Sequence, residues 1–244
     1  MAALLALALY CAACATKSMG GLVPTSPAPS AESGTPSASA PTSTATSASS
    51  PTVPPAPVYF TEAFDSKPAH WVFIQADNGL AFSGPSVREG FLVFDMPVGN
   101  EWGYALYGGR DYTDVLAETE VQSRTSGDGA AGLVCRYDEK KGWYEFNIFA
   151  EGTYQLLFGQ WLAQGVARYT PLYQGKSQAI RSDVNKIGLQ CQGNMLAPSI
   201  NGSPLRKWPE LKFGLQHGEI GLSASSFVDA PFTIAFDWAR VSAP

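Results

Sequence analysis

Two stretches of this chain carry side chains whose types and spacing could do chemistry. In "TDVLAETEVQS", Glu118 and Glu120 stand two apart, and residues i and i+2 of a β-strand share a face. Their Cα atoms would lie about 6–7 Å apart. That is compatible with the ~5–5.5 Å carboxyl separation of a retaining glycosidase, in which one carboxylate is the nucleophile and the other the acid and base. In "GWYEFNIFA", alternation separates an apolar set, Tyr144, Phe146 and Ile148, from a mixed set, Trp143, Glu145, Asn147 and Phe149. The mixed set suits sugars, because an indole can stack on a pyranose face while a carboxylate and an amide fix its hydroxyls. In "AAGLVCRYD", the apolar set Leu133, Cys135 and Tyr137 leaves Arg136 on the opposite face. Trp143, Glu145, Asn147, Arg136, Glu118 and Glu120 are therefore expected to share one ligand-binding surface. The competing reading is cross-strand charge pairing on a solvated sheet, worth a few tenths to ~1 kcal/mol per pair.

Other chemistries find little support. His70 and His217 are isolated, with no HExxH spacing, no GxSxG and no phosphate-cradling glycine loop. Asp65, Asp95 and Asp237 could converge on a structural Ca²⁺, but strand-end and turn roles are the commoner use of such residues; no cofactor is expected. A net charge of −5 over 244 residues provides no basic footprint for nucleic acid or an anionic membrane.

The elements that must position these residues are strands. All six Trp and both His lie after Val58, and from there nearly every segment alternates with period two and ends in Gly, Asn, Asp or Pro. Eleven segments read as strands, from "PVYFTEAF" to "FTIAFDWARVS". No amphipathic helix competes with them, so an all-β antiparallel sandwich or barrel follows. "EGT" (Glu151 to Thr153) and "NGS" (Asn201 to Ser203) place Gly where a tight hairpin needs positive φ. "NGS" is also formally a glycosylation sequon, read here as a turn. Cys135 and Cys191 sit in two such strands. In an exported domain a disulfide between them is expected, the alternative being two separate buried thiols.

Export is suggested by the opening "MAALLALALYCAACATKS", whose apolar run is too short for a bilayer of ~30 Å and reads as a signal-peptide core. Its end, "CAAC" (Cys11 to Cys14), resembles the bacterial lipobox, which would make Cys14 the lipidated N-terminus of a membrane-anchored protein facing away from the cytoplasm. Cys11 stands where that pattern usually has Leu, and the first residues lack Lys or Arg. Residues 15–57 are rich in Ser, Thr, Pro and Ala and cannot bury enough apolar surface to offset their ordering entropy. As a flexible stalk of ~40 residues they would hold residues 58–244 on the order of 35 Å from the anchor.

The succession "FTEAFDSKPAHW", "GFLVF", "GLVCRY…GWYEFNI…GTYQLL", "NKIGLQCQGNMLAPSINGSPL", "GEIGLSA" and "FTIAFDWARV" covers nearly all of 58–244. With its Phe-Asp pairs at 64–65 and 236–237, it resembles the concanavalin A-like jelly roll, and more narrowly laminin-G-like and 3-keto-disaccharide-hydrolase-like domains of exported bacterial proteins. That resemblance implies a β-sandwich, expected as a monomer, that binds a carbohydrate or another envelope component without catalysis. Its alternatives are hydrolysis of a glycoside or 3-keto-glycoside, and a sensory or protein-interaction role. Laminarinase-type enzymes of this fold carry Glu-x-Asp-x-x-Glu; the matching "ETEVQS" has Glu120 in place of Asp and Ser123 in place of the last Glu, so no catalytic residue is assigned.

Overall fold

The computed structural model describes residues 56–76, 84–125 and 127–244. The expected signal segment with Cys14, and the linker up to residue 55, lie outside them. The strands are β1 (Phe60–Glu62), β2 (Trp71–Ala76), β3 (Ser86–Arg88), β4 (Phe91–Met96), β5 (Glu101–Tyr112), β6 (Val115–Ser123), β7 (Gly129–Asp138), β8 (Gly142–Phe149), β9 (Thr153–Ala163), β10 (Val166–Lys176), β11 (Val184–Gln192), β12 (Met195–Ile200), β13 (Ser203–Pro204), β14 (Trp208–Pro209), β15 (Gly218–Ser226) and β16 (Phe232–Ser242). No helix occurs among the described residues.

All pairings are antiparallel. One sheet runs β13-β12-β11-β6-β16-β4-β3, with β1 added beside β16 and β14 beside β12; the other runs β10-β9-β8-β7-β15-β5-β2. Between them lies one apolar core. The first sheet contributes Val121, Ile187, Leu189, Leu92 and Phe236, and the second Leu133, Tyr144, Phe146, Leu156 and Leu222. Cys135 of β7 and Cys191 of β11 form a disulfide through this core, tying one sheet to the other. The expected hairpin turns are present, with Gly152 and Gly202 at φ of 85° and 79°.

Two strands of the second sheet escape the sequence pattern. β2 is a nearly unbroken apolar run after a Pro-containing loop. β10 contains Pro171, which reads as a strand breaker, yet β10 is the sheet's edge strand and Pro171 precedes a register shift against β9. At an edge, a missing N–H costs no ladder hydrogen bond.

Candidate functional site

The second sheet is rolled. Trp102 of β5 and Tyr169 of β10 are separated by five strand spacings, about 24 Å along a sheet with ~4.8 Å between strands. Yet their rings stack with centroids 5.8 Å apart. Two ring side chains cannot bridge that span on a flat sheet, so the sheet curves with this face inside and the β9–β10 hairpin arches over it. The concave face is aromatic: Trp143 packs against Tyr104 (5.5 Å), Tyr137 (5.5 Å) and Trp161 (5.1 Å). Gly159 makes this possible, because a Cβ there would stand 2.4 Å from the Trp143 ring.

Beneath the rings, at the centre of the sheet, lies Glu145, 1% exposed. Its carboxylate accepts hydrogen bonds from Trp143 Nε1 (2.9 Å), Asn147 Nδ2 (2.8 Å) and Tyr104 OH (3.2 Å), while Ser223 Oγ donates to Asn147 Oδ1 at 3.1 Å. The Tyr104 hydroxyl is also bonded to that of Tyr169, so a tyrosine of β5 and one of the edge strand β10 close over the acid. Burial pushes the Glu145 pKa up, and the bonds donated by Trp143, Asn147 and Tyr104 only partly offset it. Burial, followed by the charge of Glu145, likewise raises Tyr104 and Tyr169. Glu145 thus organises the floor of this face and does not meet solvent.

What meets solvent is a cleft of about 690 Å³ lined by Ile74, Tyr137, Lys140, Trp161, Gln164 and neighbouring residues, between β2 on one side and the hairpin tip on the other. Trp161 Nε1 donates to Tyr137 OH at 2.9 Å, which holds the two rings in place along the cleft wall. Both are half-buried.

The six sequence-selected residues do not share one surface. Trp143, Glu145 and Asn147 do line the concave side of the second sheet, but all three are buried. Glu118 and Glu120 belong to β6, in the other sheet, on its outer face. There Glu118 is held by Lys186 Nζ at 2.9 Å and by Arg240 Nε at 2.9 Å, and both cations also stand over Trp238. This is the cross-strand charge pairing of a solvated sheet. The glycosidase-like spacing of Glu118 and Glu120 therefore faces away from the cleft.

Arg136 is corrected as well. It sits in a bulge at φ 54°, where the β7–β8 register shifts between Cys135 and Asp138. A bulge breaks the two-residue alternation. The Arg136 side chain is consequently buried at the end of the sandwich, donating from Nε and Nη2 to Thr113 O (3.2 and 2.9 Å) and from Nη1 to Leu215 O (2.7 Å). The same bulge moves Tyr137, assigned by alternation to the core, onto the concave face. Trp102, Tyr104, Trp161, Tyr169 and Ser223 were also missed. The two-residue spacing of Trp102 and Tyr104 in "EWGYALY" was the available signal. Among the described residues no group of three or more His, Cys, Asp or Glu is placed to hold a metal, and Asp95 is paired with Arg88 and Thr233 instead.

Glu118 gives a first prediction. Burial pushes its pKa up, but the hydrogen bonds and charges of Lys186 and Arg240 outweigh this and the net shift is downward. A lowered carboxylate contributes stability above its unfolded pKa and loses that contribution as pH falls through the folded value. Because the partners are solvent-screened, Glu118→Gln should cost under about 1 kcal/mol at neutral pH and less in high salt, as read by urea unfolding at two salt concentrations. Ligand binding should not change.

No protein-family model matches the chain, and no curated protein does. Solved structures match it through the fold. The carbohydrate binding module CBM66 from Bacillus subtilis is 15% identical, with a TM-score of 0.50 over 69% of this chain and 92% of that one. A Bacillus subtilis protein of unknown function with a galectin-like fold is 14% identical, with a TM-score of 0.55 over 75% and 94%. A glycoside hydrolase family 16 endo-glucanase from Bacteroides ovatus is 10% identical, with a TM-score of 0.55 over 75% and 99%. The chain is a concanavalin A-like jelly-roll β-sandwich.

Proposed function

We propose that this protein is an exported, lipid-anchored β-sandwich that binds carbohydrate of its surroundings in the concave cleft and performs no chemistry on it. The observation that carries the reading is the cleft itself: half-buried Trp161 and Tyr137, fixed by their mutual hydrogen bond, present ring surface beside the polar groups of Lys140 and Gln164. Rigid aromatic walls with a few convergent polar groups are how sugar rings are held. The likeness in fold to a carbohydrate binding module and to an endo-glucanase supports the same class of ligand. Binding without turnover is favoured because the buried carboxylate, Glu145, lies under the Tyr104–Tyr169 bridge and is occupied by hydrogen bonds from Trp143, Asn147 and Tyr104.

The test is glycan-array screening of the purified protein, then calorimetry and product analysis on each hit. Saturable binding with no product is expected. Trp161→Ala should weaken that binding at least tenfold, about 1.4 kcal/mol, in a protein that still unfolds cooperatively. Unchanged affinity in Trp161→Ala would place the ligand elsewhere.

A further inference from the structure

The cleft does not end at Tyr137. A second segment of about 390 Å³, lined by Val72, Ile74, Leu106, Asp111, Tyr137, Asp138, Glu139 and Glu219, continues from the first, and the two share Ile74, Tyr137 and Glu139. Its floor is apolar and its rim is acidic. Of the four carboxylates, two have side-chain partners: Asp111 faces His217 Nδ1 at 3.3 Å, and Asp138 holds Lys141 Nζ at 3.1 Å as well as the turn amides of Lys140 and Lys141. Glu139 and Glu219 have no ion-pair partner among the described residues. Among the described residues, the one cation lining either segment is Lys140.

Resting on the carbohydrate reading above, we propose that this end of the cleft selects cationic sugars, namely amine-bearing hexosamine units, with Glu219 and Glu139 receiving the ammonium group. Val72, Ile74 and Tyr137 offer the apolar ground for a pyranose ring, and the two unanswered carboxylates stand at its edge. Glu219 is half-buried, where a charge interaction is screened less than at an open surface. Burial raises its pKa, and the neighbouring charge of Asp111 adds to this; the second effect is a negative local field, which favours an added positive charge. The same field disfavours uronate or sulfated sugars, so the rim discriminates by repulsion as well as attraction.

The test compares oligosaccharides of equal length, by calorimetry on the purified protein at about pH 6, between the carboxylate range and the ~8 typical of an activated amine. Glucosamine oligomers, N-acetylglucosamine oligomers and galacturonate oligomers are titrated into the parent protein and into Glu219→Gln and Glu139→Gln. The expected order is glucosamine about tenfold tighter than its N-acetylated counterpart, as two partly screened ion pairs would supply, with galacturonate weakest. Each variant, and high salt, should shrink the ratio of glucosamine to N-acetylglucosamine affinity. Equal affinity for charged and neutral oligomers overturns the selectivity and leaves the carbohydrate reading standing. Failure of every oligosaccharide here, together with a blank glycan array, overturns both. Because Glu139 is exposed, its variant keeps the test decisive even if Glu219→Gln fails to fold.

Discussion

Replacing both Cys135 and Cys191 by alanine is expected to remove about 4 kcal/mol from the unfolding free energy. The two residues are separated by 56 positions and join β7 of one sheet to β11 of the other. A tie across that separation removes many loop conformations from the unfolded chain but few from the folded one, and in the chain-entropy model this difference is the stabilisation. Both cysteines are fully buried, so alanine adds only a small packing loss and no unsatisfied polar group. At roughly 2–4 °C per kcal/mol for a domain of this size, the melting temperature should fall by about 8–16 °C. Urea unfolding of the two proteins measures the change directly. A difference below about 1 kcal/mol would show that sheet-on-sheet packing alone holds the sandwich. Reductant should act on the parent protein only under conditions that unfold it, because neither sulfur is open to attack.

The architecture was legible in the sequence because one period governs it. In β8 the alternation assigns the core face correctly at Tyr144, Phe146 and Ile148, and a sandwich follows from such strands whatever the register. The candidate site was less legible, because alternation says which residues share a strand face but not which sheet the strand joins. Glu118 and Glu145 both lie opposite apolar partners on their strands, yet chain order does not reveal that β6 pairs with β11 and β16 while β8 pairs with β7 and β9. Local irregularity hid the rest. A single bulge residue, Arg136, exchanged its own place with that of Tyr137, and no composition signal marks a non-glycine residue at positive φ. Curvature is also unwritten locally. That Trp102 meets Tyr169 follows from the roll of a whole sheet, the sum of small twists over five strand pairs.

Trp143→Ala should be among the most damaging single substitutions in the protein, and the damage should depend on pH. The indole is fully buried, packed against Tyr104, Tyr137 and Trp161, so its loss creates a cavity costing about 3–5 kcal/mol. That part is independent of pH. The ring also donates to Glu145, whose folded-state pKa is already raised, by burial first. A raised carboxylate is most favourable to folding below its unfolded pKa of about 4.3, and the contribution is lost as pH rises through the folded value. Removing a donor from the charged form lifts the folded pKa further, so Trp143→Ala should be more destabilising above that window than below it. Other carboxylates, such as Glu118 and Glu210, are lowered and tilt the parent curve the opposite way. The quantity to measure is therefore the difference in unfolding free energy between variant and parent, by urea unfolding from mildly acidic to neutral pH. A second comparison isolates the cause: in a Glu145→Gln background the cavity cost of Trp143→Ala should persist while its pH dependence disappears. If the dependence survives there, the group that titrates beneath the concave face is not Glu145, and the argument that this acid is a buried organiser of the cleft floor fails with it.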